Sequence, residues 1–145
     1  MASIWIDGGT KRKRERVYAL AQWSAYQLMH WKMADNIWLN IKICKLNVHG
    51  YCIWEDDNIR PREFNIEIDN TLTGSDFDTT VFHEMVHVKQ YAKDELRERF
   101  RPGYRKNWKR STKNYFDVEY DDAPWEKEAY KMQEVLYDRW VGSDL

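Results

Sequence analysis

The sequence predicts an α+β domain: a long N-terminal helix, a three-stranded and mostly antiparallel sheet, and two later helices. Three observations predict it. Residues from about 12 to 33 run without Pro or Gly and carry apolar positions at helical spacing. Two stretches, 37–44 and 62–69, alternate apolar and polar residues, which is the period of a half-buried strand. Apolar residues then return to three- and four-residue spacing over about 78–98 and 124–140. The 145 residues suit one domain, 1–145.

Residues 1–10 read as a flexible start that ends in an Asp7-Gly8-Gly9 turn. Lys11 to Arg16 carries five basic residues out of six, which suits a solvated first helical turn; a contact with nucleic acid or an acidic partner is the alternative. Val17, Leu20, Ser24, Leu28 and Trp31 then mark one helix face. Ile37, Leu39, Ile41 and Ile43 alternate with Trp38, Asn40, Lys42 and Cys44 in the first strand. A turn at 47–50 leads to a second strand near 51–55. A hairpin centred on Val48 sets Ile43 opposite Ile53 and Cys44 opposite Cys52. A cross-strand disulfide is conceivable there, but free thiols are expected in a reducing compartment, and no second Cys pair accompanies them as in a zinc site.

Asp56, Asp57, Asn58 and Pro61 mark a loop. Phe64, Ile66 and Ile68 form one face of the third strand, with Glu63, Asn65, Glu67 and Asp69 on the other. Asp76 or Asp78 is expected to cap the helix from about 78 to 98. Residues 99–120 read as irregular, with a Pro102-Gly103 breaker, and the last helix opens at Pro124 and reaches about Trp140.

Composition narrows the function classes. A net charge of −1 points to no particular partner. Hydrophobic residues at 43% argue against disorder. No apolar run approaches the roughly 20 residues of a membrane span, so no membrane partner is expected. No apolar segment follows the basic start as in a secretory signal, so a cytoplasmic location is expected.

The informative residues are His83-Glu84-Met85-Val86-His87. Two His four apart share one helix face, one turn apart, so both imidazoles can reach one metal ion at about 2.0–2.1 Å. The Glu between them is offset by roughly 100°, so it can flank the metal and take a proton from its water. Val81, Met85, Val88 and Ala92 fall on the opposite side and make a core face. A catalytic zinc usually has three protein ligands. No His follows His87, and His30 and His49 lie upstream, so a downstream carboxylate is expected. Glu95 and Glu98 lie farther along the same helix, where turning back to the metal is hard; Glu126, Glu128 and Glu134 sit on the last helix.

Pro124-Trp125-Glu126-Lys127-Glu128-Ala129 resembles the Glu-x-x-Ala segment of gluzincin peptidases, and His83, Glu84 and His87 match their first motif. The order of elements also resembles the compact minigluzincin core related to the M48 and ImmA-like peptidases. The resemblance implies a zincin-like fold with one Zn²⁺ per chain, held by His83, His87 and Glu126, with Glu128 as the alternative ligand. It implies hydrolysis of peptide bonds in a peptide or protein substrate by a zinc-activated water, with Glu84 as general base. Four residues after the ligand Glu the family often has an acidic or amide residue that supports a ligand His; this chain has Tyr130.

Tyr115, Tyr120 and Tyr130 are candidates to stabilise an oxyanion. The strand Glu63 to Asp69 is expected beside the cleft, its edge open to an extended substrate. Arg97 to Lys113 holds eight Lys or Arg and one Glu, interleaved with Phe100, Tyr104 and Trp108. That segment reads as a solvated connection, a flap beside the cleft, or a nucleic-acid surface. The rival to a peptidase is a catalytically silent zinc-binding or interaction protein, including one associated with nucleic acid through 97–113.

Overall fold

A computed structural model describes residues 1–56, 60–100 and 103–143. The loop positions Asp57 and Asn58, and Pro102 of the expected breaker, lie outside the described residues. The chain is α+β. Its elements run β1 (Ser3–Gly8), α1 (Lys11–Leu28), α2 (Trp31–Asp35), β2 (Trp38–Cys44), β3 (Gly50–Trp54), β4 (Glu63–Asp69), α3 (Gly74–Ala92), β5 (Leu96–Arg99), β6 (Arg105–Trp108), a 3₁₀ turn (Tyr120–Asp122) and α4 (Pro124–Gly142).

The sheet is not three-stranded and antiparallel. It is a mixed four-stranded sheet in the order β1-β2-β4-β3, beside a small two-stranded sheet, β5-β6. Strand β1 occupies the stretch expected as a flexible start. Its Ile4 and Ile6 already alternate with Ser3, Trp5 and Asp7, and it pairs parallel to β2. Strands β2 and β3 do not form a hairpin, because β4 lies between them, parallel to β2 and antiparallel to β3. Ile43 therefore opposes Ile68 rather than Ile53, Cys44 opposes Asp69, Cys52 opposes Ile66, and both cysteines are free thiols. The physical reason is burial. Phe64, Ile66 and Ile68 of β4 are 0–2% exposed, and the most apolar strands gain most from a central place covered by helices. Strand β4 is thus internal, and β3 is an edge strand, as β1 is on the other side.

Leu39, Ile41 and Ile43 join the β4 residues on the face that carries the helices. Val17, Leu20, Ala21 and Ala25 of α1 and Val81, Met85, Val88 and Ala92 of α3 complete that core. Trp23 of α1, Phe82 of α3 and Trp140 of α4 interlock, with ring centroids 5.3–6.4 Å apart, and tie the three helices together.

Helix boundaries also differ from expectation. The N-terminal helix stops at Leu28; Met29 is extended, and the His30 ring accepts from Lys32 N to start α2. Trp31, expected on the buried face, is 56% exposed. Helix α3 starts after Thr73, not at Asp76 or Asp78. Asp78 is instead buried and bonded by the Arg16 guanidinium, with Arg16 Nε 2.6 Å away. The helix ends at Ala92, where Asp94 takes a left-handed conformation (φ 59°) and turns the chain into β5. The stretch 99–120 thus contains β6. Among the described residues no helix is long and apolar enough to cross a membrane.

Gly8 makes the turn from β1 into α1. Its φ is +84°, and a Cβ there would lie 2.2 Å from the Ile43 carbonyl oxygen. Both facts exclude a side chain. Gly8→Ala should therefore destabilise the fold by about 2–4 kcal/mol, from left-handed strain plus displaced β2 backbone. Gly103→Ala, with no atom within 4 Å of its Cβ, should stay within about 0.5 kcal/mol of wild type. Urea unfolding of both variants checks the contrast; equal stabilities would refute the close approach.

Candidate metal centre

Helix α3 carries His83, His87 and Gln90 at steps of four and three residues, hence on one face. Helix α4 answers with Glu126, Ala129 and Gln133 at steps of three and four. Ala129 is fully buried and has nothing beyond Cβ, so the two helices can approach closely there. Trp125 seats the first turn of α4. Its ring lies 6.3 Å from Trp108 and 5.7 Å from Tyr115, with the Lys106 ammonium 4.5 Å from its centroid. Glu126 follows directly and is 8% exposed.

His83 Nε2 lies 2.9 Å, and His87 Nε2 3.1 Å, from the same atom, Glu126 Oε1. The other ring nitrogens are held by amides: His83 Nδ1 is 2.8 Å from Gln133 Oε1, and His87 Nδ1 is 2.7 Å from Gln90 Oε1. The Gln90 amide has only one consistent orientation. Its Nε2 donates to the Trp125 carbonyl at 2.9 Å and the Glu128 carboxylate at 3.1 Å, both pure acceptors. Its Oε1 therefore receives the His87 Nδ1 proton. A neutral His87 then turns the Nε2 lone pair towards a carboxylate oxygen. Acceptors at this separation need a cation between them.

A proton is the smaller answer. Burial opposes charging His87, yet the Glu126 bond and the Glu84 and Glu126 charges outweigh it and raise its pKa above the ordinary value. Burial likewise opposes the Glu126 carboxylate, but the bonds to His83 and His87 hold its pKa far below the usual range. A metal ion is the larger answer. His83, His87 and Glu126 are all buried, and one ligand atom from each lies within 4.8 Å of the others. Two imidazoles and a carboxylate, with amides fixing the far side of both rings, fit a metal ion as donor set and as support.

Glu84 is 4% exposed. Among the described residues no hydrogen bond or ion pair reaches its carboxylate. Burial raises its pKa, while the two imidazoles pull it down. Glu84 and His83 line two cavities along β3. One of about 760 Å³ is bounded also by His49, Thr80, Tyr120 and Tyr130. The other, about 270 Å³, adds His87, Glu126, Cys52, Glu98 and Lys106. The cleft therefore borders β3, the outer strand, and not β4 as expected.

The remaining candidates separate cleanly. Tyr120 and Tyr130 line the larger cavity; their hydroxyls are 3.2 Å apart, and the Tyr130 ring lies 4.6 Å from the His83 ring. Burial, then the Tyr130 bond and Glu126, raise the Tyr120 pKa and keep it a donor. Tyr115 packs on Trp125 and borders neither cavity. Glu128 is bonded by Lys89 at 2.6 Å, Gln90 at 3.1 Å and Lys109 at 3.2 Å, away from the ligand cluster. Glu95 accepts from Lys89 at 2.7 Å, and Glu98, on β5 rather than on α3, from Tyr91 at 2.8 Å. Glu134 lines the larger cavity.

Sequence reasoning missed Gln90 and Gln133. Their signal was present: each lies on the ligand face of its helix, three residues after His87 and seven after Glu126. The missing support at Tyr130 is supplied two turns into α4, by Gln133.

Chelator competition should rank three variants. Glu126→Ala should lose metal most, because it removes one of the three clustered donor groups. Gln133→Leu should weaken binding by about 10–100-fold, through loss of the His83 support. Glu128→Ala should weaken it least. A larger loss in Glu128→Ala than in Glu126→Ala would move the ligand. Compared with known protein families, with curated proteins and with solved structures, the chain matches none.

Proposed function

We propose that the chain is a zinc-dependent metallopeptidase. The observation that carries the reading is the convergence of His83 Nε2 and His87 Nε2 on one Glu126 oxygen, in the motif order that resembles gluzincins. The two His and one Glu are a donor set suited to catalytic zinc, and His83, His87 and Glu126 would hold it. When bound, zinc supplies Lewis acidity, which acidifies a water and polarises a carbonyl.

The chain's own residues do the rest. Glu84, buried and held by no other described side chain, takes the proton from the attacking water and returns it to the leaving amine. Its raised pKa moves it towards the range where both transfers are efficient. Tyr120, its pKa raised, keeps its phenolic proton; it and Tyr130 stand at the rim beside His83, where an O–H can stabilise a developing oxyanion. Strand β3 ends the sheet, so its outer backbone groups are open to pairing with an extended peptide laid along the cleft.

Protein purified without chelators should carry about one zinc per chain. Glu84→Gln should keep that zinc while turnover on a peptide library falls by roughly 10²–10⁴. Zinc bound with no turnover by wild type on diverse peptides would favour a silent scaffold. Unchanged turnover in Glu84→Gln would remove the assigned base.

The gain in Tm on adding zinc should be larger at pH 7.5 than at pH 5.5, conditions about one unit either side of the ordinary His pKa. In metal-free protein, His87 has a raised pKa, so its contribution is full below its unfolded pKa and is lost as pH rises through the folded one. Glu126 has a depressed pKa; its contribution is present above the unfolded value and lost as pH falls through the folded one. Zinc replaces the proton, so its stabilisation grows as the proton leaves. Differential scanning fluorimetry at both pH values measures this; a larger gain at pH 5.5 would contradict it.

A further inference from the structure

Among the described residues, the basic side chains of segment 97–113 divide into two populations. Lys106 lies beside the candidate metal site, paired with Glu98, and Lys109 is paired with Glu128 of α4. Arg97 is paired with Asp94, and Lys113 lies over the Tyr115 ring. Arg99, Arg105 and Arg110 are different. They are exposed, no ion pair or hydrogen bond reaches their guanidinium groups among the described residues, and all three line one cavity of about 460 Å³.

Their placement is costly without a ligand. Arg99 and Arg105 are directly opposed across the β5–β6 ladder, and like charges in that relation repel. Lys109 and Arg110 both take left-handed backbone conformations (φ 47° and 63°), and that turn carries Arg110 to the same cavity. The acidic groups of the cavity are already committed: Asp94 to Arg97 and Glu95 to Lys89.

We propose that the outward face of the β5–β6 hairpin binds the phosphate backbone of a single-stranded nucleic acid. Three uncommitted guanidinium forks offer more donors than the two oxygens of a carboxylate can take, whereas phosphate oxygens accept such forks in pairs. Asn107, Ser111 and Thr112 line the same cavity and add neutral donors. Phe100 and Tyr104 flank the Arg99–Arg105 pair at the end of the hairpin, on the other face of the ladder, with Phe100 6.3 Å from the Trp54 ring. They are 60% and 42% exposed, their centroids are 5.4 Å apart, and a nucleic-acid strand that leaves the arginine face over the hairpin end meets them. Bases of a single strand can stack on such rings; those of a duplex cannot. The surface is separate from the zinc cleft, so it stands or falls independently of the peptidase reading.

The test is fluorescence anisotropy with a labelled single-stranded DNA of about 15 nucleotides, starting near 50 mM salt. Two triple variants are compared, equal in charge change. One carries Arg99→Ser, Arg105→Ser and Arg110→Ser; the other carries Lys11→Ser, Arg12→Ser and Lys127→Ser at exposed sites elsewhere. Circular dichroism confirms that both fold. Wild type is expected to bind with salt-sensitive affinity. The arginine variant is expected to lose at least about tenfold, with a salt slope reduced by about two, and the control to stay within about twofold. No binding by wild type overturns the proposal, as does equal loss in both variants. So does displacement of the DNA by an oligoglutamate peptide at matching charge concentration, which would make the surface an acidic-peptide site.

Discussion

An imidazole lone pair and a carboxylate oxygen do not share a dry corner at hydrogen-bond distance without a proton or a metal ion between them. His83, His87 and Glu126 impose that condition where α3 meets α4. Much of the molecule serves to hold the three atoms in this relation. The helices run past each other so that His83 meets Gln133 at one end and Gln90 meets the Trp125 carbonyl at the other. Each contact takes up the nitrogen facing away from Glu126 or the amide that orients it. The far-side amides thus decide which ring atoms are presented.

The ionic groups outside that corner follow from the same requirement. Gln90 is fully buried, and its amide direction is set by the Trp125 carbonyl and the Glu128 carboxylate together. Burial works against Glu128, but the Lys89 and Gln90 bonds outweigh it and hold its pKa below the ordinary value. Lys89 is shared between Glu128 and Glu95, with its side chain only 12% exposed. Removing one member of such a partly buried group leaves the others uncompensated. Glu128 therefore matters through Gln90 and His87, without touching the site.

The sheet contributes an edge and a surface. With β4 in the interior, β3 is left as the outer strand on the side of α3, and the cleft runs between them. Gly50 makes that approach possible: a Cβ there would lie 2.7 Å from the Glu67 carbonyl oxygen and 3.3 Å from Thr80 Cγ2. The β5–β6 hairpin then closes the opposite flank, with Leu96 buried and Trp108 packed towards Trp125. Among the described residues, one strand pair so divides the basic segment between a side that borders the cleft and a side that faces solvent.

The α+β class, the strands at β2 and β4, and the candidate residues His83, Glu84 and His87 were legible in the sequence alone; Glu126 was singled out by the resemblance of its segment, with Glu128 left open. Those features are local: two-residue alternation, helical spacing and a five-residue motif need no distant partner to be read. Tertiary structure decided what depends on pairing. It inserted β4 between β2 and β3, drew Ser3–Gly8 into the sheet, broke the first helix at Met29 and ended α3 before Glu95. Strand order follows from the burial of whole faces, which one strand's pattern does not encode. Tertiary structure also brought Gln90 and Gln133 to the backs of the two imidazoles and separated Glu126 from Glu128. The sequence places Gln90 on the His87 face and Gln133 on the Glu126 face by helical spacing alone; that Gln133 reaches His83 and that the Trp125 carbonyl orients Gln90 comes from the packing of α4 on α3, a relation between distant segments that one helix's periodicity does not encode.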